Sequence, residues 1–372
     1  MRKFLLALVI ITIPMLCGVS CADMVYMTST GNLGTIKINS SSDIEVPSLK
    51  YTGKASSPFL TSYWNGSGTN LALIERNATT SGDRAYVFDP GSLNSSSYSA
   101  DIEGVHGTSG AGYAESGYSL FLTAGSRVYE VETVDFGVLN SFDCASVISA
   151  DGYDTVVNSI AVGSQTIHVI ASAGERQRYI RFDGQLAGGV DYFLSSDVSA
   201  GASVILSTSS NNPVIGHSLG IDAMSSNNTF YSVLSSDYPV KAMCADNSNG
   251  VFYATQYQSG ESYVNTIMHS LENTQFTPVT ITSSSSNIKM LRDNSNSDTF
   301  AVMTDEAITL FTYSNGRTVR HEYTTATLGG TPAGIAAAAV SGYDKNSNSS
   351  GCNAMGMGLV ALGLAMLMIR RD

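Results

Sequence analysis

Charge is scarce in this 372-residue sequence, and positive charge is scarcest. Lys and Arg number 19 against 31 Asp and Glu, and charged residues of all kinds make up 13 %. Arg2, Lys3, Arg370 and Arg371 sit in the end segments; with Asp372 also set aside, 15 basic residues face 30 acidic ones between the ends. Such a surface repels a phosphate backbone and excludes nucleic acid as an expected partner. Helical periodicity is nearly absent between the ends, which excludes a helical bundle. No Gly-x-Ser-x-Gly elbow, HExxH helix or phosphate-binding glycine loop is expected from this sequence. Cysteine occurs five times, but Cys17, Cys21 and Cys352 belong to the ends. Cys144 and Cys244 have no Cys or His partner at metal-ligand spacing. A bridge between them would close a loop of about 100 residues. They fall two repeat lengths apart in the pattern described below, which favours two buried thiols over a disulfide.

The two ends are informative. Arg2 and Lys3 precede an apolar stretch from Phe4 to Leu16, and Ser20-Cys21-Ala22 fits the small-x-small cleavage pattern before Asp23. Residues 1–22 are therefore expected to be a secretory signal cut after Ala22. Gly18-Val19-Ser20-Cys21 also loosely resembles a lipobox, with Gly18 where that pattern has leucine; plain cleavage is the favoured reading. At the other end a polar spacer, 344–350, leads to Gly351-Cys352-Asn353-Ala354. An uncharged run of 15 residues follows, Met355 to Ile369, and then Arg370-Arg371. That run is shorter than the ~20 residues a spanning helix needs, and the arginines would stay on the cytoplasmic side.

Ser347 to Arg371 resembles the Synerg-CTERM type of sorting signal, through Gly351, Cys352, Asn353, Ala354 and the arginine pair. The resemblance implies recognition by C-terminal sorting machinery after export, processing near Gly351-Cys352, and lipid on Cys352. An ordinary tail anchor is the alternative. Both place residues 23–343 outside the cytoplasm, at the surface or outer envelope of a bacterial cell.

Between the ends, short apolar runs recur, bounded by Gly, Asn, Asp and Ser. Leu71 to Glu75, Tyr118 to Ala124, Ile167 to Ser172, Val251 to Gln256 and Thr299 to Thr304 look alike, and each is followed by a polar turn and a second strand. Their spacing is near 47 residues, apart from one gap of 84 that would hold a degenerate unit around Val204 to His217. The clearest unit, Val240 to Ile281, reads as four strands. Four short antiparallel strands repeating every 40–50 residues are the pattern of β-propeller blades. Units near residues 57, 105, 155, 200, 240 and 285 give six. A seventh is expected across the termini, with Gly334 to Val340 as its inner strand and Val25 to Thr28, Gly34 to Ile38 and Ile44 to Val46 as the others. A β-helix or a pair of β-sandwiches would share the strand-rich composition. The WD dipeptide, the Kelch glycine pair and the sialidase Asp-box are missing.

Candidate sites are few. Asp246 to Gly250 and Asp293 to Asp298 occupy the same turn in neighbouring units, and Asp246, Asp293 and Asp298 could offer oxygens to Ca²⁺. With so few carboxylates they read better as hydrogen-bonded turns, so no metal or other cofactor is expected. His106, His168, His217, His269 and His321 fall about once per unit but in strands of different type, so they are not expected to converge. Arg176 and Arg178 share a strand face in the one basic cluster, where guanidinium forks suit carboxylate or sulfate groups. Tyr63 and Trp64 flank a turn, where an aromatic ring can stack on a sugar or anchor a protein. These four are the candidate ligand contacts; a solvated strand and a packed Trp are the plainer accounts. Asp101/Glu103 and Glu130/Glu132 set carboxylates about 6.5–7 Å apart, near glycosidase spacing, as any acidic strand does. The expected protein is an exported, non-catalytic propeller that binds protein or glycan, or serves as a structural part of the envelope. The alternative is a secreted glycan-active hydrolase or lyase on the same scaffold.

Overall fold

The computed structural model describes residues 24–337 except 41–42, 45–46, 53–57, 65–68, 115–118, 164–165, 185, 187–189, 194–200, 203, 208–212, 246–249, 260–261, 272–278, 285, 294–298 and 315–316. Seven four-stranded antiparallel sheets follow one another along the chain. Blade 1 takes Pro332–Ala337 as its first strand, then Met24–Thr28, Leu33–Ile36 and Ser48–Tyr51. Blades 2 to 7 begin at Phe59–Trp64, Gly110–Ala114, Thr155–Val162, Val204–Ser207, Val240–Ala245 and Ile288–Asp293, and each continues through its next three strands. Each first strand lies beside the first strands of both neighbours, blade 7 beside blade 1 included. The sheets therefore ring a common axis, as the blades of a β-propeller do.

Burial explains the sequence pattern. A second strand is covered on both faces by neighbouring blades, so it reads as a continuous apolar run rather than an alternation. Ser119–Ala124 and Thr299–Thr304 are buried at every position. The outer strands Ser48–Tyr51 and Val138–Asp143 are mostly exposed and mix polar residues with exposed apolar ones such as Leu49, Val138 and Leu139. Apolar clusters fill the gaps between blades. Phe121, Val128, Val169 and Ile180 join blades 3 and 4, and Tyr26, Ile335, Ala301 and Leu310 join blades 7 and 1. Between blades 6 and 7, Phe252 stacks on Phe300 at 4.0 Å and Phe300 on Phe311 at 5.2 Å.

Two expectations need correction. Blade 1 does not use Ile44 to Val46 as its outer strand: Asp43–Ile44 pairs with Ile38–Ser40 in a separate two-stranded ladder. The outer strand is Ser48–Tyr51, which starts just after Pro47, a residue with no N–H to give a ladder. Its inner strand begins at Pro332, and 338–340 lie outside the described residues. The gap around residue 204 holds a complete blade, not a degenerate one. Cys144 and Cys244 are buried and unbridged.

Strand alternation sorts the connections into two faces. The upper face carries the start of every inner strand, the turn between second and third strands, and the link from each outer strand to the next blade. Backbone bonds tie these together: Ser236 N–H to Leu219 O at 2.8 Å, Gln256 N–H to Pro239 O at 2.9 Å, and Asp305 N–H to Asn287 O at 3.2 Å. Met24 pairs with Ala337, so both ends of the described chain leave by the lower face.

Candidate functional site

Exposed large apolar side chains gather on the upper face of blades 4 to 6: Tyr153, Val156, Leu219, Tyr238 and Tyr257. The arrangement around Tyr238 and Tyr257 is built. The second and third strands of blade 6, Gly250–Ser259 and Ser262–Leu271, are ten residues each. Pairing to the inner strand ends at Thr255 and pairing to the outer strand at Asn265. The tip of this hairpin therefore stands clear of its sheet and lifts Tyr257 above the face. Tyr238 sits in the link entering blade 6. Ser236 Oγ donates to Tyr238 O at 2.7 Å and accepts the Tyr238 N–H at 3.2 Å. The two rings lie 5.2 Å apart at 35° and are 41 % and 48 % exposed. At the base of the hairpin Gln256 Nε2 donates to Asn287 Oδ1 at 3.0 Å.

Beside this platform a cleft of about 330 Å³ opens between blades 6 and 7. Its floor is Ile267, Val302 and Phe311, and its charged lining is Glu306, Arg320 and Glu322. Arg320 pairs with Glu322 along the outer strand, and Ser286 Oγ donates to Glu306 Oε2 at 2.9 Å.

The mouth of the ring is shaped by bulges. The register of the inner strand slips at Asn158, Lys241 and Lys289 in blades 4, 6 and 7, and all three are exposed. A bulge leaves its extra residue unpaired and re-aims the side chain. Lys289 Nζ meets Asp305 Oδ1 at 2.9 Å.

Gly216-His217-Ser218-Leu219-Gly220 spells Gly-x-Ser-x-Gly, a string the sequence reading did not credit. It forms a strand–turn–strand hairpin in blade 5, not the strand-to-helix elbow that exposes a nucleophile. His217 is 1 % and Asp222 2 % exposed, with Nε2 and Oδ1 3.2 Å apart but without hydrogen-bond alignment. His217 Nδ1 accepts the Leu219 N–H at 3.2 Å. The two ring nitrogens thus have Asp222 and the Leu219 amide as close neighbours.

The residues singled out from sequence do not meet. Tyr63 is a core residue, 1 % exposed, with its ring edge-on to Phe136 at 5.9 Å. Burial pushes its hydroxyl well above the ordinary range, and it is out of reach of a ligand. Trp64 ends the same strand, with its side chain outside the described residues. Arg176 donates to Ser149 O at 2.9 Å, so it ties a link rather than presenting an open fork. Arg178 is half-buried on the same strand. Asp101 is held below the ordinary carboxylate range by Arg84, 2.6 Å away, and Glu130 accepts from Ser119 Oγ at 3.0 Å. His168 is buried between Tyr179 Oη at 2.7 Å and Thr166 Oγ1 at 2.8 Å. Among the described residues no group of three or more His, Cys, Asp or Glu is placed to hold a metal. Asp246, Asp298, Ala22, Gly351, Cys352, Asn353, Arg370 and Arg371 lie outside the described residues, as do the side chains of Asp293 and His269.

No protein-family model and no curated protein matches the chain. Solved structures do match. A functionally unknown protein from Desulfotomaculum acetoxidans is 11 % identical, with a TM-score of 0.57 over 85 % of this chain and 98 % of that one. A protein from Lactobacillus plantarum is 9 % identical, with a TM-score of 0.57 over 84 % and 98 %. The Cps50 (Swd1) β-propeller domain of Myceliophteria thermophila is 11 % identical, with a TM-score of 0.49 over 71 % and 85 %. At such identities the likeness is one of architecture alone. What this chain shares with the first two is its overall fold.

Proposed function

We propose that this chain is an exported, non-catalytic β-propeller of the bacterial envelope, retained by its C-terminal segment, whose upper face binds protein or glycan. The observation that carries the reading is the opposition of the two faces. The chain ends leave below, at the paired Met24 and Ala337, while Tyr153, Tyr238 and Tyr257 stand exposed above. A tail anchored or processed at a membrane draws the lower face towards it and turns Tyr238 and Tyr257 outwards. Exposed aromatic groups clustered on one face are the usual mark of a binding surface. In this reading the sheet that holds both ends closes the ring and bears any pull on the tail.

Leu219, 54 % exposed on the upper face, provides the test. A Leu219→Cys variant should react with a membrane-impermeant maleimide on intact cells, and more slowly there than in the purified protein, where no partner covers the face. The intact mass should begin at Asp23 and end near Gly351 or Cys352. Labelling only after lysis, or a mass that retains residues 1–22, rejects the export reading. Equal labelling rates on cells and in purified protein reject an occupied upper face.

A further inference from the structure

We propose that the cleft between blades 6 and 7 is a subsite for one residue of a neutral saccharide, with Tyr238 and Tyr257 stacking the next. This rests on the reading of the upper face as a binding surface and gives that surface a ligand class.

The lining of the cleft matches the chemistry of a pyranose. A sugar ring offers apolar C–H faces and a rim of hydroxyls, each of which donates and accepts. The cleft offers an apolar floor in Ile267, Val302 and Phe311. Around it stand a guanidinium that only donates and two carboxylates that only accept, with threonine hydroxyls such as Thr309 and Thr324 between them. Hydroxyls taken from water must find such partners or forfeit their hydration. At about 330 Å³ the cleft lies at the small end of ligand sites. Arg320 and Glu322 are 49 % and 42 % exposed, so they can turn from each other to a ligand at little cost.

Charge narrows the class. Two carboxylates against one guanidinium, in a chain of net charge −12, repel uronates, sulfates and phosphates. The adjoining platform supplies what a second sugar needs, two exposed phenol rings 5.2 Å apart for C–H faces to lie against. The two parts share one link. Ser286 holds the Glu306 carboxylate in the cleft, and the next residue, Asn287, holds Gln256 beneath Tyr257. A chain of sugars lying from cleft to platform would cross Ser286 and Asn287.

The test is titration calorimetry of the full-length protein in detergent with three probes: cello-oligosaccharides, chitosan oligomers and polygalacturonate. The cello-oligosaccharides should bind saturably, and Glu322→Gln, Arg320→Gln and Tyr257→Ser should each weaken binding about tenfold. Glu103→Gln, on the outer strand of blade 2, serves as the control and should bind as the parent does. These substitutions lie at exposed positions, so folding is checked independently by an unchanged melting temperature. Preference for the cationic or anionic probe, binding of none, or an affinity in the Glu322 and Arg320 variants unchanged from the parent overturns the saccharide assignment. The Leu219→Cys labelling rates judge the upper face separately, so failure of the sugar and failure of the face are told apart.

Discussion

Asp83 and Thr108 are joined twice: one carboxylate oxygen accepts both the Thr108 backbone amide at 2.7 Å and its hydroxyl at 2.6 Å. The other oxygen accepts the Asn77 and Gly107 amides at 2.7 and 2.8 Å. Asp83 is the second residue of the third strand of blade 2, and these bonds clamp the link to blade 3. Burial alone would raise its carboxyl, but the Thr108 hydroxyl and the three amides outweigh burial and hold it below the ordinary range. Replacing Asp83 with Ala should cost about 1–3 kcal/mol at neutral pH, because it leaves the buried Thr108 amide and the part-buried Asn77 and Gly107 amides without their acceptor. A depressed carboxyl stabilises above its unfolded value of about 3.9 and loses that contribution as pH falls towards its folded value. The stability gap between parent and Asp83→Asn, read from urea unfolding, should therefore narrow below about pH 4. A gap that stays constant with pH would mean the carboxylate charge does not matter.

Two glycines repeat a constraint that no periodicity reveals. Gly82 and Gly220 each open a third strand, and a Cβ there would lie 2.2 Å from Ile102 O and 1.9 Å from Leu234 O, both backbone atoms of the adjoining outer strand. Gly220 also holds φ at +145°, where only glycine is comfortable. Gly82→Ala should cost about 1–3 kcal/mol from crowding alone, and Gly220→Ala more. Gly104, at φ +77° with open space around it, separates the two effects: Gly104→Ala should lose only about 1–2 kcal/mol of backbone strain. Urea midpoints of the three variants would give the order.

The architecture was legible because burial writes it into single strands. Thr299–Thr304 is covered on both faces, so its continuous apolar run recurs wherever a second strand does, and its spacing gives the blade. The candidate site was not legible, because its members come from separate elements. Tyr238 lies on a link and Tyr257 on a hairpin tip, and only the fold brings their rings together. One local signal was available: the blade 6 hairpin has ten-residue strands, longer than any other blade requires. Tyr63 misled in the opposite sense. Its place beside a turn suggested exposure, yet it still belongs to an inner strand whose residues face the neighbouring blade. Gly-His-Ser-Leu-Gly shows that a motif is read by its setting; between two strands it is a turn.

Thiol chemistry should follow burial. Burial, reinforced by the neighbouring Asp143, pushes the Cys144 thiol up to about 12, and Cys244 is also buried. The thiolate is the reactive form, so iodoacetamide at mildly alkaline pH should leave both untouched in the native protein and modify both in denaturant. Peptide mass mapping separates them from the cysteines of the end segments. Native modification of Cys144 would show that its site opens well below global unfolding.

The last expectation concerns how the ring is closed. Val25 faces Ala336 and Tyr26 faces Ile335 in the ladder between the first and last described strands, and the last strand also borders blades 2 and 7. Removing residues 332–372 would strip blade 1 of its inner strand, expose an unpaired edge and uncover apolar residues on both neighbouring blades. Such a truncation should lower the melting temperature by about 10 °C or more, or leave the protein insoluble. A circular permutant isolates the cause. With Ala337 joined to Met24 by a short turn, and new ends opened between Gly125 and Ser126, every strand pairing survives while the chain ends move to another blade. Domains whose ends lie close together tolerate such rewiring. If closure is what matters, the permutant should melt within a few degrees of the parent. If it unfolds like the truncation, stability depends on where the chain starts rather than on the closed ring.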